Sequence, residues 1–372
     1  MAICVLINFS LGIACGCWYK NRNDTQLNPT LTMKAVFYSR DHNLICGEIP
    51  EPVAGPEEVL VHVHYAGICG SDLHLYRSRM LPEGAIMGHE VSGRIATLGG
   101  AVTERKVGDR VIVRPAGCGF CPACQERREN LCPQRRAIGL GRNPGGYAEK
   151  LSVPWGMTIP VPEGVPLAQA SLTDPLATGL HAIRLARPLA RKTALIIGSG
   201  AIGLSLLLLL RREGAQSILV SEPELTRQEM AYQLGADVIF HPQDPEAQAK
   251  IQTLTEGRGP DTIFECSGNA NAFQQALIWI GKAGEIILVG LGPEPFSFSP
   301  GLAVLKEVKI LSSFANTQEE CREILEMIRQ GAVLAEPLTR DRIFLEELPM
   351  VFQELLAGSG RIKVIVAMKG EE

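Results

Sequence analysis

The stretch TALIIGSGAIG, residues 193–203, joins a short apolar run to a glycine-rich turn. An uninterrupted apolar run of this length is typical of a parallel strand that is buried on both faces. Gly198, Gly200 and Gly203 then form the pattern G-x-G-x-x-G between this strand and an apolar helical segment. The first glycine allows a tight turn, the second lets a pyrophosphate approach the backbone, and the third lets helix and strand pack closely.

The helix that follows this turn would offer unsatisfied N–H groups and a favourable dipole to phosphates. We therefore predict a dinucleotide site, with cofactor-binding residues Gly198, Gly200, Ile202 and Gly203. Helical and strand-like segments alternate after the turn as far as about residue 314. This alternation predicts βαβ units, and hence an α/β domain with a doubly wound parallel sheet of the Rossmann type.

Glu222 lies 19 residues past the last glycine, at the end of the next predicted strand. A carboxylate at this place can accept both hydroxyls of an adenosine ribose, and it repels a 2′-phosphate. Neither Pro223 nor Glu224 offers a basic side chain to that phosphate, so we predict NAD as the cofactor. The alternative interpretation of Glu222 is a solvated acid in a loop.

Four cysteines, Cys118, Cys121, Cys124 and Cys132, form a C-x2-C-x2-C-x7-C cluster. Four thiolates on a turn-rich loop can close a tetrahedral zinc site, which is structural because no ligand position stays open. A disulfide nest is the alternative. The chain has 11 cysteines, an odd number, mostly in metal-ligand spacing, and this favours a reducing compartment such as the cytoplasm.

A second metal site is indicated upstream of this cluster. The thiolate of Cys69 and the imidazole of His89 supply two of the three protein ligands that a catalytic zinc needs. Glu90 could bind the metal directly or support its ligands. Asp174 is the best candidate for the third ligand, although an Asp-Pro pair can simply begin a helix. The sequence thus predicts two zinc ions per chain, one structural and one catalytic.

Length and charge limit the number of domains and the kind of partner. A chain of 372 residues is too long for one ordinary core, which predicts two domains. The formal net charge of −4, without a basic patch, argues against nucleic acid as a partner. Residues 2–19 are largely apolar but lack the basic start of a signal peptide. We interpret residues 1–32 as a leader rather than a membrane anchor, so membrane contact is not expected.

The motifs from Met33 to the C-terminus resemble, in order and in spacing, those of zinc-dependent medium-chain alcohol dehydrogenases. The resemblance is closest to the polyol, sorbitol and threonine dehydrogenase branch, in which an acidic residue before Pro-Leu or Pro-Phe is the third zinc ligand. Asp174 matches that position, although Glu is common there in polyol enzymes. The resemblance implies a GroES-like β-barrel catalytic domain (33–185 and 315–372) with a structural zinc lobe (115–135), interrupted by a Rossmann domain (186–314), with the active site between the domains.

The resemblance also implies roles for single residues. Ser71 would contact the substrate oxygen and begin a proton relay, which His74 would continue towards solvent through the cofactor ribose. Arg227 matches a basic position that contacts the adenosine ribose. Val289 and Leu291 fall where family members line the nicotinamide pocket.

The implied function is hydride transfer between NAD and a secondary alcohol, a polyol or a hydroxy amino acid. The family usually forms dimers or tetramers through the edge strands of its Rossmann sheets, so we expect a homodimer or homotetramer with a contact near residues 299–310. Two alternatives are an NADPH-dependent aldehyde or enone reductase of the same superfamily and a non-catalytic scaffold that zinc stabilises.

Overall fold

The structure, a computed structural model, describes residues 27–369 except Arg142, Pro293, Glu294 and Phe296. Most of the predicted leader, residues 1–26, therefore lies outside the described residues. The described part of it begins the first strand: Leu27–Tyr38 pairs antiparallel with Leu44–Pro52, and its register shifts between Asn28 and Thr32. Within the described residues, this strand begins six positions before Met33.

The described residues form fifteen strands and eleven α-helices. The strands are β1 (Leu27–Tyr38), β2 (Leu44–Pro52), β3 (Glu58–Gly67), β4 (Glu90–Leu98), β5 (Arg110–Val113), β6 (Lys150–Pro154), β7 (Thr158–Pro160), β8 (Thr193–Ile197), β9 (Ser217–Ser221), β10 (Val238–Phe240), β11 (Thr262–Glu265), β12 (Glu285–Leu288), β13 (Lys309–Ser312), β14 (Asp341–Phe344) and β15 (Val364–Ala367). The helices are α1 (Gly70–Ser78), α2 (Pro122–Gln125), α3 (Leu167–Ala170), α4 (Thr173–Leu185), α5 (Ala201–Arg212), α6 (Leu225–Gln233), α7 (Ala247–Leu254), α8 (Ala270–Trp279), α9 (Pro300–Lys306), α10 (Gln318–Arg329) and α11 (Leu348–Ala357).

One compact unit contains the described residues up to Asp174, with Arg322–Gly331 and the chain from Ala335 onward. Its larger sheet has the strand order β14-β15-β3-β4-β5-β7, and β6 also pairs with β3. All of these pairings are antiparallel except that of β14 with β15. The central strand β3 buries the alternate residues Val59, Val61 and Val63, and these join one apolar core with residues from both ends of the unit.

The second compact unit comprises Pro175–Cys321 and Ala332–Leu334. Its six strands form a parallel sheet in the order β10-β9-β8-β11-β12-β13. The predicted doubly wound sheet is therefore confirmed. The strand order reverses between β8 and β11, and ligands of such sheets bind at the carboxyl ends of the strands at this switch point. The glycine-rich turn directly follows β8.

The two compact units divide at Asp174 and at Cys321, which are 11 and 7 residues from the predicted boundaries at 185 and 314. The helix Thr173–Leu185 belongs largely to the second unit because it packs there against Ala201–Arg212. An ideal Cβ on Gly179 would lie 3.3 Å from Leu206 N and 3.4 Å from Leu209 Cδ1. No break in the sequence pattern marks this packing.

Candidate metal and cofactor sites

The four clustered cysteines converge on one point. Their Sγ atoms all lie within 4.8 Å of one another, with Cys118 and Cys124 at 3.9 Å and Cys121 and Cys132 at 3.7 Å. A left-handed turn at Gly119, with φ of +83°, folds the loop between the first two ligands. No disulfide joins any of the described cysteines.

Backbone N–H groups stabilise the thiolates of this lobe. Cys118 N donates to Cys132 Sγ at 3.3 Å, and Cys121 N donates to Cys118 Sγ at 3.4 Å. Burial raises the pKa of Cys118, but the N–H groups of Phe120 and Cys121 outweigh it and lower that pKa to about 6. Burial raises the pKa of Cys124 to about 12 and also raises that of Cys132, so Cys118 is the thiol that its surroundings favour as an anion. Four sulfur ligands that are already pre-arranged fit a closed zinc site.

A second ligand group combines Cys69, His89 and Glu90, whose ligand atoms also lie within 4.8 Å of one another. Cys69 directly precedes α1, whereas His89 and Glu90 stand at the start of β4. Gly88 turns the chain into β4 with a φ of +93°. The end of β3 and the beginning of β4 thereby bring together residues that are about 20 positions apart in the sequence.

The imidazole of His89 is buried between the carboxylate of Asp72 and the hydroxyl of Ser71. Its Nδ1 lies 3.4 Å from Asp72 Oδ1, and its Nε2 lies 3.4 Å from Ser71 Oγ. Burial alone would lower the pKa of His89, but the negative charges of Asp72 and Cys69 raise it well above its usual value. The surroundings therefore favour a positive charge beside Cys69, as a cation-binding site requires.

Glu90 forms a buried ion pair with Lys363, whose Nζ also donates to Ile68 O at 2.9 Å. Burial raises the pKa of Glu90, the charges of Lys363 and His89 oppose this rise, and the net direction is upward. The space for the pair depends on Gly67, because an ideal Cβ there would lie 2.0 Å from Glu90 Oε2 and 3.0 Å from Lys363 Nζ. Lys363 is not predictable as a site residue, because no motif near it in the sequence suggests a site.

Asp174 lies near this group but outside its tight cluster. Among the described residues the group contains Glu90 as its only carboxylate, whereas Asp174 stands in the first turn of Thr173–Leu185. Its charge is still close enough to raise the pKa of Glu90. The role of Asp174 as the third zinc ligand stays a prediction.

Ser71 and His74 lie three positions apart on α1, the spacing of neighbours on one helical face. Ser71 Oγ is at the metal-binding side of His89, as its distance to Nε2 shows. His74 is largely exposed, and partial shielding of its ring from water, together with the charge of Arg77, lowers its pKa. This pair can serve a relay that leads outward, although the relay itself stays a prediction.

Tyr147 is a buried residue of this site that the sequence analysis did not single out. Its hydroxyl donates to Asp72 Oδ2 at 2.7 Å, and Cys69 N donates to the same oxygen at 2.9 Å. Burial, followed by the charge of Asp72, raises the pKa of Tyr147 well above its usual value, so the phenol stays a donor. An aromatic residue in a glycine-rich segment gives no signal of such a contact.

The glycine-rich turn has the geometry that its motif predicts. Gly198 adopts a φ of +90° directly after β8, which favours glycine. An ideal Cβ on Gly203 would lie only 2.0 Å from Gly198 O, so strand and helix approach closely here. An ideal Cβ on Gly200 would meet no atom within 4 Å, which leaves an open cradle at the N-terminus of Ala201–Arg212. This arrangement fits a pyrophosphate.

Glu222 is buried at the carboxyl end of β9, which does not fit a solvated loop acid. Its Oε2 accepts hydrogen bonds from Ser199 N at 2.7 Å and Ser199 Oγ at 3.1 Å, and its Oε1 accepts one from Glu224 N at 3.0 Å. Arg227 follows on the helix Leu225–Gln233, and its buried Nε has no hydrogen-bond partner in the described part of the chain. The Nε of Arg227 can therefore donate to a further polar ligand.

The last two predicted cofactor residues follow β12, beside β11 in the sheet. Val289 N donates to Glu265 O at 2.8 Å, and Leu291 is exposed. An ideal Cβ on Gly290 would lie 2.2 Å from Gly268 N, so the two segments after these strands are in close contact. Val289 and Leu291 thus lie at the carboxyl edge of the sheet that also carries the glycine-rich turn.

Comparison with known proteins finds two family models that match this chain. Residues 55–163 match the alcohol dehydrogenase GroES-like domain, and residues 201–330 match the zinc-binding dehydrogenase domain. A sorbitol dehydrogenase of Bacillus subtilis is 32% identical over 324 residues, which are 85% of this chain and 91% of that enzyme. The chain belongs to the zinc-containing medium-chain alcohol dehydrogenase family. The predicted resemblance is thereby confirmed.

Two solved structures of similar proteins contain nicotinamide cofactors. A zinc-binding dehydrogenase target from Sinorhizobium meliloti 1021, bound to NADP, has a TM-score of 0.84 and 30% identity, covering 91% of this chain and 99% of its own. A protein described as a short chain alcohol dehydrogenase, from Escherichia coli CFT073 and complexed with NADH, has a TM-score of 0.83 and 26% identity, covering 90% of this chain and 99% of its own. Structures of similar proteins thus hold either NADP or NADH.

None of the helices in the described residues combines the length and the apolar character that a membrane crossing demands.

Proposed function

We propose that this zinc-dependent alcohol or polyol dehydrogenase oxidises the secondary hydroxyl of an alcohol, a polyol or a hydroxy amino acid, with NAD as the hydride acceptor. The observation that carries the proposal is the convergence of Cys69, His89 and Glu90 beside the hydroxyl of Ser71. One sulfur, one nitrogen and one carboxylate are a ligand set that catalytic zinc accepts, and such a site keeps a position for substrate.

Each residue around this site has a proposed task. Cys69 and His89 hold the zinc with an acidic side chain, Asp174 or Glu90, while Asp72 orients His89. Bound zinc supplies Lewis acidity, which makes a substrate hydroxyl easier to deprotonate. Ser71 accepts the proton of that hydroxyl, and His74 passes it towards solvent. Ser71 Oγ lies 3.4 Å from His89 Nε2, which supports a proton acceptor beside the proposed metal site.

The cofactor is held by the second unit. The N–H groups after Gly200 bind the pyrophosphate, Glu222 accepts the adenosine ribose hydroxyls, and Arg227 contacts the same ribose. The nicotinamide supplies the hydride acceptor. Val289 and Leu291 line its ring. The buried carboxylate of Glu222 supports NAD over NADP, because a 2′-phosphate beside it would place two anions together.

Two measurements test the proposed function. Metal analysis of the purified, zinc-replete chain should find two zinc ions. Reduction of NAD and NADP should then be compared across sorbitol, 2,3-butanediol, threonine and primary alcohols, with NAD and the secondary hydroxyls preferred. Turnover only with NADPH and aldehydes or enones would favour the reductase alternative, and one zinc without any hydride transfer would favour the scaffold.

We also propose that the chain forms a homodimer or homotetramer through β13, the edge strand of the parallel sheet. The preceding helix Pro300–Lys306 leaves Val304 73% and Leu305 80% exposed, and Ile310 of β13 is exposed as well. Among the described strands, β13 has no neighbour on its outer edge, and exposed apolar side chains beside such an edge favour pairing with another chain. Light scattering should give an oligomer for the wild type and a monomer for Leu305→Asp.

A further inference from the structure

Tyr147 has no task in the proposed hydride transfer, yet its surroundings are those of the catalytic metal site. Tyr147 N donates to Met87 O at 3.0 Å, and Gly146 N donates to Gly88 O at 2.7 Å. An ideal Cβ on Gly88 would lie 2.7 Å from two carbons of the Tyr147 ring. The ring therefore packs directly on the residue that precedes His89.

The hydroxyl of Tyr147 determines which oxygen of Asp72 is left for His89. Asp72 is fully buried, so its carboxylate has no water to replace a missing partner. Its Oδ2 accepts hydrogen bonds from Tyr147 at 2.7 Å and from Cys69 N at 2.9 Å. Its Oδ1 is left to face His89 Nδ1, at 3.4 Å.

We propose that Tyr147 is a positioning residue of the catalytic metal site. Its hydroxyl holds the Asp72 carboxylate in the orientation that directs His89 Nε2 to the metal. A metal-binding histidine usually donates its other ring N–H to a carboxylate or carbonyl, which fixes its tautomer and orientation. Two donors on one oxygen prevent the carboxylate from rotating. This inference rests on the proposed function, because it takes Cys69 and His89 as ligands.

The test replaces Tyr147 by Phe, which removes one hydroxyl and keeps the ring that packs on Gly88. Metal-free protein is titrated with Co²⁺, followed by visible absorption, and zinc affinity is measured against a chelator. Loss of a residue that supports a ligand typically costs 10–100-fold in metal affinity. We expect about tenfold weaker binding at the Cys69 site and a changed Co²⁺ spectrum, with the cysteine lobe unchanged as an internal reference.

Tyr38→Phe is the matched control. Tyr38 is also buried, and its hydroxyl lies 2.7 Å from His42 Nδ1, outside the ligand group. This variant should leave both metal affinities and the spectrum unchanged. In an Asp72→Asn background, Tyr147→Phe should have little further effect, because both changes act through one carboxylate.

Three outcomes would count against the proposal. An unchanged affinity and spectrum for Tyr147→Phe overturns it directly. An equal loss of affinity at the Cys69 site and at the lobe means that Tyr147 only stabilises the fold, which also overturns it. A wild-type chain that binds one metal ion, at the lobe, overturns the proposed function and this inference with it.

Discussion

Lys363 and Glu90 form an ion pair in which both side chains are only 1% exposed. Lys363 precedes β15 and Glu90 begins β4, so the pair links two distant parts of the sequence within one compact unit. Lys363 also places a cation beside Glu90, the only carboxylate that the described residues contribute to the ligand group of Cys69, His89 and Glu90. Removal of the pair should therefore lower the free energy of unfolding and disturb the ligand group.

We expect Lys363→Met to destabilise the fold strongly, because it leaves the Glu90 carboxylate buried without a partner. Breaking such a pair from one side costs about 3–5 kcal/mol. Urea unfolding at neutral pH measures the loss. Lys369→Met is the matched control, since Lys369 pairs with Glu346 at 3.1 Å but is 59% exposed, and it should cost less than about 1 kcal/mol. Equal midpoints for the two variants would contradict the prediction.

Gly117→Ala should weaken zinc binding in the cysteine lobe. An ideal Cβ at this position would lie 2.6 Å from Cys124 Sγ and 2.8 Å from Glu129 Cβ. Relief of such a clash costs about 1–3 kcal/mol, or roughly tenfold or more in zinc affinity. Metal analysis after dialysis against a chelator should show loss of the lobe zinc. Gly100→Ala, whose Cβ would meet nothing within 4 Å, should retain it.

Glu346→Gln should show a stability difference that depends on pH. Hydrogen bonding from Lys34, assisted by Lys369, lowers the pKa of Glu346 to about 2. A depressed pKa means that the carboxylate stabilises the fold above its unfolded value of about 4.5 and loses this effect as pH falls towards 2. The variant should be less stable by up to about 1 kcal/mol at pH 7. Thermal unfolding midpoints that differ equally at pH 7 and below pH 3 would count against this assignment.

Ser71→Ala should slow turnover far more than it weakens binding of NAD. Positioned proton acceptors contribute about 10²–10⁴-fold to rate, whereas Ser71 belongs to the unit without the glycine-rich turn. Steady-state kinetics and fluorescence titration with NADH separate the two effects. A variant with full turnover would remove Ser71 from the mechanism.

Glu222→Ala should weaken the binding of NAD far more than it slows turnover. Hydrogen bonds to a charged group contribute about 1.5–3 kcal/mol, so we expect at least tenfold weaker NAD binding and a smaller preference over NADP. Glu224→Ala is the control, because Glu224 is exposed on the same turn. An unchanged affinity for NAD in the Glu222 variant would show that another residue selects the cofactor.

Features that depend on local sequence could be predicted before the structure was known. The turn at Gly198 and the lobe from Cys118 to Cys132 are short segments whose spacing reflects their geometry directly. The parallel sheet was predictable because its strands are buried on both faces and therefore continuous in apolar residues. Residue types alone also paired Cys69 with His89 as candidate ligands, whereas the choice of Asp174 depended on the family resemblance.

The supporting contacts could not be predicted, because they join positions far apart in the chain. Lys363 and Glu90 are 273 residues apart, and Tyr147 and Asp72 are 75 apart. Neither pair has a periodicity or motif that the sequence could display. The sequence also favoured Asp174 over Glu90 as a ligand, whereas burial and packing place Glu90 in the tight cluster. The unit boundary at Asp174 follows from helix packing that only the structure shows.

The discontinuous unit has a consequence for biosynthesis. A ribosome makes Glu90 early, then the whole of Pro175–Cys321, and only afterwards Lys363. Domains fold as units while the chain emerges. The unit with the glycine-rich turn can therefore fold on the ribosome while Glu90 still lacks its partner Lys363. The ion pair beside Cys69 and His89 therefore forms only near the end of synthesis.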